Sequence, residues 1–282
     1  RRRPRWLRRR SRSPPRRCCR RAGTHFQIEI LLHCCESGEE SQDADGKDGK
    51  YDELKLPLLA SVPHAGLTVP QEAEPYCMLT PEQVADDGDV GAAEVYSLEA
   101  EFEAYSTTDV ARAIVDLNRA EDDRRRDGVV KTHTCWDIPV YQEFPPDQVV
   151  KRLLDRYYHP YHQRLRELAK TGVQFGVDLH TMAATGPPVG PDPGVERPQV
   201  CLSNGEGTTC RQEWIESLKE CFEEGFGNVR INEPFKGGFI TRSHAAELPW
   251  VQVELSRGPF MSNQEKRHAV LHALQLGCRR TL

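Results

Sequence analysis

The stretch "LLASVPHAGLTVP" sets an apolar run, Leu58 to Val62, against an abrupt stop at Pro63, His64, Ala65 and Gly66. Such a run closed by Pro and Gly predicts a buried strand over "LKLPLLASV" that turns sharply into a loop. "ARAIVDLN", "VQFGVDLH" and "VQVELS" have the same character and predict further strands. Between them the apolar spacing is helical. "TPEQVADDGDVGAAEVYSLEAEFEAY" opens with Thr80 as N-cap and Pro81 at the first helical position. Gly88 and Gly91 interrupt it and predict a loop at Asp86–Asp89. "DQVVKRLLDRYYHPYHQRLRELAKTG" predicts a long amphipathic helix, kinked at Pro160 and ending at Gly172. "CRQEWIESLKECFEEGFG" and "NQEKRHAVLHALQLGCRR" predict two more. The prolines of "PPVGPDPGVERPQ" exclude regular structure there. Strands alternating with helices predict an α/β fold, a mostly parallel or mixed central sheet with helices on both faces.

Length and charge then divide the chain. Its 282 residues suit one large α/β domain or two small ones. The head, "RRRPRWLRRRSRSPPRRCCRR", holds twelve arginines and no acid, and without them the formal net charge moves from -5 to -17. An acidic body disfavours nucleic-acid binding. The head has almost no apolar face, as a transit peptide would need. The chain does not begin with Met, and the first Met is Met78. The expectation is an Arg-rich, polar, disordered extension over residues 1–50, outside the working protein, and a single α/β domain over 51–282. "FQIEILLHCC" is too short to span a bilayer, so no membrane association is expected. The ten cysteines show no CxxC spacing, which argues against a zinc knuckle and suits a reducing cytoplasm.

In open α/β sheets, ligand sites gather beyond the carboxyl ends of the strands. Residues expected there are His64, then Asp116, Asn118 and Arg119, then Asp178 and His180, then Glu254 and Arg257. Two imidazoles, several carboxylates and two guanidiniums on one rim fit a metal-dependent hydrolase of an anionic substrate. A catalytic zinc takes three protein ligands. His64 and His180 supply two, and Asp86, Asp87 and Asp89 are candidates for the third. Glu254 is the best-placed general base. Arg119 suits a bidentate grip on a carboxylate, with Asn118 donating beside it. Asp116 and Asp178 could orient the ligand histidines. Each also has a plainer reading: a histidine bonding a loop, solvated turn aspartates, or a Glu254–Arg257 ion pair. His159 and His162 read as packing or surface residues.

The segments "SVPHAG", "VDLNR", "WDIPVY", "YHPYHQRL", "VDLHTM", "FKGGFITR" and "VQVELSR" resemble, in order and over roughly residues 55–260, the N-formylglutamate amidohydrolase family. That family is related to zinc carboxypeptidases and aspartoacylases. The resemblance implies a phosphorylase/hydrolase-like sandwich with one zinc (Zn2+) per chain. It implies His64, His180 and Asp89 as ligands, with Asp87 next in order, and Glu254 as general base. It also implies Asn118 and Arg119 as the carboxylate clamp. Lys236 and Arg242 are candidates for a second carboxylate or the oxyanion, and His133 could face the site. Leu67 and Val90 depart from the pattern, where relatives carry Glu and Trp. The implied reaction is hydrolysis of a small anionic N-acyl amino acid, N-formylglutamate, to formate and glutamate. A carboxypeptidase or other deacylase is the alternative among enzymes. An inactive body with a nucleic-acid-binding head is the alternative of another kind.

Overall fold

The computed structural model describes residues 55–282, which lie within one compact unit. The expectations for residues 1–50 lie outside the described residues. Six strands form one sheet: β1 (Leu56–Val62), β2 (Phe102–Thr107), β3 (Phe175–Met182), β4 (Val200–Ser203), β5 (Val229–Ile231) and β6 (Trp250–Ser256). Their order is β2-β1-β3-β6-β4-β5. All neighbours run parallel except β4 against β6. The sheet is therefore mixed, within the expected α/β class.

Strand alternation sorts side chains to two faces. Leu58, Ala60 and Val62 of β1 join Phe175, Val177 and Leu179 of β3 and Val251, Val253 and Leu255 of β6 in one apolar cluster. That cluster includes helices α2 (Ala92–Val95), α5 (Gln212–Glu223) and α7 (Asn263–Thr281). The opposite face carries Leu59, Trp250 and a second cluster. Gly176 is required there: a Cβ would lie 2.2 Å from the Trp250 ring.

Helix α1 (Pro81–Asp87) starts where the sequence places it, with Thr80 and Gln83 forming a capping box. The long helix divides into α3 (Asp147–Leu153), a π-helical turn (Leu154–Tyr158) and α4 (His159–Leu168). The wide turn precedes Pro160, whose missing N–H breaks the helical ladder. It aims Tyr158, Tyr161 and His162 at the sheet. The Tyr158 hydroxyl donates to the Arg119 carbonyl at 3.0 Å. Tyr161 meets Ser61 at 2.9 Å, and His162 Nε2 donates to the Leu117 carbonyl at 3.1 Å.

Two sequence expectations are corrected. "ARAIVDLN" is not a strand but a buried series of turns, with Ile114 and Val115 N–H groups bonded back to the Ala111 carbonyl. The end of the stretch read as helix, "FEAY", belongs to the edge strand β2, alternately buried and half or fully exposed. A short helix, α6 (Phe239–Ser243), occupies "FKGGFITR". Among the described residues, no helix is long and apolar enough to cross a membrane.

Candidate active site

The second face of the sheet places polar residues at the carboxyl ends of its three central parallel strands. Ser61, Asp178, His180, Gln252 and Glu254 sit there at period two, all buried. His180 and Glu254 are register partners on β3 and β6. His64 follows β1 by two residues, and its ring centroid lies 4.7 Å from that of His180. Asp89, in the loop between α1 and α2, completes the group. Its Oδ2 is 2.9 Å from His180 Nδ1 and 3.6 Å from His64 Nδ1. Of the three candidate aspartates, Asp89 joins the histidines. Asp87 turns to the Lys131 ammonium at 2.8 Å and accepts the Cys135 N–H at 2.7 Å. Burial would raise the Asp87 carboxyl, but Lys131 and Arg112 hold it down at about 2. Asp86 is exposed.

Both imidazoles are fixed from behind. His64 Nε2 donates to Asp116 Oδ1 at 2.8 Å, and His180 Nε2 donates to Asp178 Oδ2 at 2.9 Å. Each Nδ1 is thereby left to face the other ring and Asp89. Asp116 also accepts from Arg112 Nε at 3.1 Å and from the Asn118 N–H at 2.9 Å. Its burial opposes ionisation, yet His64, Arg119, Arg112 and Lys131 hold its carboxyl well below the usual range. The same opposition acts on Asp89, where the two imidazoles outweigh burial. Burial would lower His180, but Asp178 and Asp89 raise it well above its ordinary value.

The ligand atoms of His64, Asp89 and His180 lie within 4.8 Å of one another. Ligands about 2.1 Å from a tetrahedral zinc sit roughly 3.4 Å apart, so a compact two-nitrogen, one-oxygen set with carboxylate-oriented rings fits that ion. Glu254, 8% exposed, stands beside the cluster. Burial raises its carboxyl above the usual value, against the pull of His180 and with a push from Asp89. Gln252 Nε2 donates to Glu254 Oε1 at 2.7 Å, and Gln252 Oε1 accepts the Gly238 N–H.

This cluster forms the floor of a cleft of about 730 Å³, a size usual for a ligand site. Its walls include Arg119, Lys236, Arg242 and Arg257. The residues expected to clamp substrate are differently engaged. The Asn118 amide is committed at both ends: Nδ2 donates to Asp178 at 3.3 Å, and Oδ1 accepts the Ile240 N–H at 2.8 Å. Gly238 packs against this amide so closely that a Cβ would lie 2.2 Å from Asn118 Nδ2. Arg119 extends to Asp127, with Nη2 at 3.2 Å from its carboxylate. Lys236 pairs with Glu206 at 2.7 Å, both exposed. Arg242 is exposed and donates to the Gly237 carbonyl. His133 bonds Thr132 at 3.0 Å and lies outside the cleft lining. His162 stacks on His244, both buried. Sequence reasoning missed Gln252, although it stands two residues before Glu254 on the same strand face. It also missed Lys131 and Arg112, the buried cations behind Asp87 and Asp116.

Fold and site together define an α/β enzyme with a candidate metal centre at a sheet rim. The sequence model of N-formylglutamate amidohydrolase matches residues 56–261, and the chain belongs to that family. An N-formylglutamate deformylase of Pseudomonas putida is 28% identical over 228 residues, 75% of this chain and 84% of the relative. The crystal structure of N-formylglutamate amidohydrolase from Ralstonia eutropha JMP134 superposes with a TM-score of 0.67 at 21% identity, covering 81% of this chain and 96% of that one. A gene product of Agrobacterium tumefaciens superposes with a TM-score of 0.63 at 18% identity, covering 81% and 90%. At such identities the structures speak for the fold alone.

Proposed function

We propose that this protein hydrolyses N-formylglutamate to formate and glutamate, with one zinc ion held by His64, Asp89 and His180. The observation that carries this reading is the convergence of those three side chains beside Glu254 in a chain of this family. The named activity of the Pseudomonas relative supports the substrate. When bound, zinc supplies Lewis acidity that polarises an acyl carbonyl and activates water.

The chain's own residues do the rest. Asp116 and Asp178 fix the ring orientations, so the cluster needs little rearrangement to bind. Glu254 takes a proton from the attacking water and returns it to the leaving nitrogen. A buried carboxyl with a raised affinity for protons suits both halves of that transfer. Gln252 keeps one Glu254 oxygen in place, leaving the other free for the proton. Arg242, which no carboxylate partners among the described residues, grips a substrate carboxylate. Arg119 and Lys236 contribute positive potential along the walls. Asn118 acts through Asp178 by holding its carboxylate, and does not touch substrate in this reading.

The test is release of the free amino group by zinc-loaded protein from a panel of N-formyl, N-acetyl and N-succinyl amino acids and short peptides, with formate measured for the N-formyl members. N-formylglutamate is the expected best substrate. Preferential cleavage of peptides would overturn the reading in favour of a carboxypeptidase.

A further inference from the structure

We infer that Arg257 binds a carboxylate of the substrate, and that Lys266 is the residue that holds Arg257 in position. The inference rests on the function proposed above, which assigns one carboxylate of a dicarboxylate substrate to Arg242 and leaves the other without a partner.

Arg257 leaves the end of β6, three residues beyond Glu254, and its side chain lines the cleft. Its backbone N–H donates to the Met182 carbonyl at 2.8 Å, at the end of β3. Nη1 donates to the Gly88 carbonyl at 3.1 Å, next to Asp89. Nε is buried and has no hydrogen-bond partner. The neighbouring guanidiniums are different. Arg112 is paired with Asp116, Arg119 with Asp127, Arg125 with Asp123 and Arg197 with Asp192. Among the described residues, no carboxylate pairs with Arg257. A cationic donor left unmatched in a binding cleft invites an anionic acceptor.

The turn carrying it is braced in an unusual way. Lys266 of α7 is 4% exposed, and its ammonium donates to the carbonyls of Ser256 and Gly258, both at 2.9 Å. These carbonyls flank Arg257 on either side. The ammonium also lies 4.5 Å from the centroid of the Phe260 ring. The Gly258 N–H closes the turn onto Ser256 Oγ at 3.2 Å. Burying an ammonium without a carboxylate is costly. Here the cost is spent on fixing the two peptide groups that aim Arg257. A donor held in place before binding loses less freedom when the anion arrives. Arg242 and Arg257 thus present two unpaired guanidiniums to a ligand with two carboxylates.

The experiment compares zinc-loaded wild-type protein with Arg257→Met and Arg257→Lys, measuring kcat and KM on N-formylglutamate and L-glutamate affinity by calorimetry. Arg257→Met is expected to raise KM about 10- to 100-fold, the scale of one charge-assisted contact, with a much smaller change in kcat. Its glutamate affinity falls by a similar factor, its zinc content stays at the wild-type level, and Arg257→Lys recovers part of the loss. Lys266→Met moves KM in the same direction by less. Wild-type KM in folded Lys266→Met, or in Lys266→Gln should the first fail to fold, overturns the role given to Lys266, while the Arg257 variants test the carboxylate contact independently. Unchanged KM and glutamate affinity in Arg257→Met overturn the assignment, as does a fall in kcat at constant KM. Wild-type protein that releases no formate refutes the proposed function itself, whereas normal wild-type turnover with an unaltered Arg257→Met refutes Arg257 only.

Discussion

His64 and Asp116 are joined through Nε2 and Oδ1 at 2.8 Å, and this bond decides which nitrogen of the ring faces the site. With Nε2 committed, Nδ1 is the atom turned toward Asp89. Asp178 imposes the same choice on His180 at 2.9 Å. Both carboxylates are fully buried, so neither can turn to water as an alternative partner.

The His64–Asp116 bond predicts the effect of Asp116→Asn. The side-chain shape is kept while the charge that fixes the imidazole is lost. Zinc affinity is expected to fall about 10- to 100-fold, the usual scale for losing an orienting partner. Competition with a chromophoric chelator measures this, and wild-type affinity in the variant would show that Asp116 only braces the backbone.

Glu254→Gln separates binding from chemistry. The amide fills the same space beside His180 but accepts no proton. Bound zinc and substrate affinity are expected to persist, while kcat drops by about 10²- to 10⁴-fold. An active variant would reject Glu254 as the base.

Gln252→Leu removes the donor to Glu254 and the acceptor for the Gly238 N–H, with little change in volume. The expected result is normal zinc content with kcat reduced on the order of tenfold, the scale of one hydrogen bond to a charged group. On a Glu254→Gln background the same substitution should cost little further activity. Full additivity of the two losses would show that Gln252 does not work through Glu254.

The stacked pair His162–His244 predicts a pH effect away from the metal centre. Burial, with His244 alongside, pushes the His162 imidazole down to about 3. The unfolded chain keeps a value near 6.5, so below that pH the unfolded state binds more protons than the folded one. Stability from this group is therefore complete above about pH 6.5 and is lost as pH falls toward 3. The loss is on the order of 1–2 kcal/mol between pH 6.5 and 5. Denaturant melts across that range should show a shallower pH slope for His162→Gln than for wild type, and parallel slopes would contradict this.

The metal-centre candidates were legible because they follow strands whose apolar runs are unmistakable. His64 comes just after β1, while His180 and Glu254 lie in β3 and β6. The loop after α1 was legible too, through its capping signals and glycines. The contacts that Asn118 and Arg119 make were not. The partners of Asn118 lie 60 and 122 residues away, and no local pattern reports such contacts. "ARAIVDLN" was misread because an apolar run buried on all sides has no period to distinguish strand from packed turns. "FEAY" was misread because it continues a run holding Glu99, Glu101 and Glu103 that favours helix, while its alternation is that of an edge strand. The short strands β4 and β5 sit beside proline- and glycine-rich loops and offered too few residues for a pattern. Lys266 could not be read from sequence at all: on a helix rich in charge, nothing marks its single lysine as buried.

The central claim is that His64, Asp89 and His180 hold one cation on which formate release depends. The most direct measurement titrates zinc into chelator-stripped protein while following formate release from N-formylglutamate. The account predicts that activity rises in step with bound zinc and levels off at one ion per chain, and that folded His180→Ala shows neither binding nor turnover. Formate release by metal-free protein, or tight zinc binding retained in His180→Ala, would contradict it.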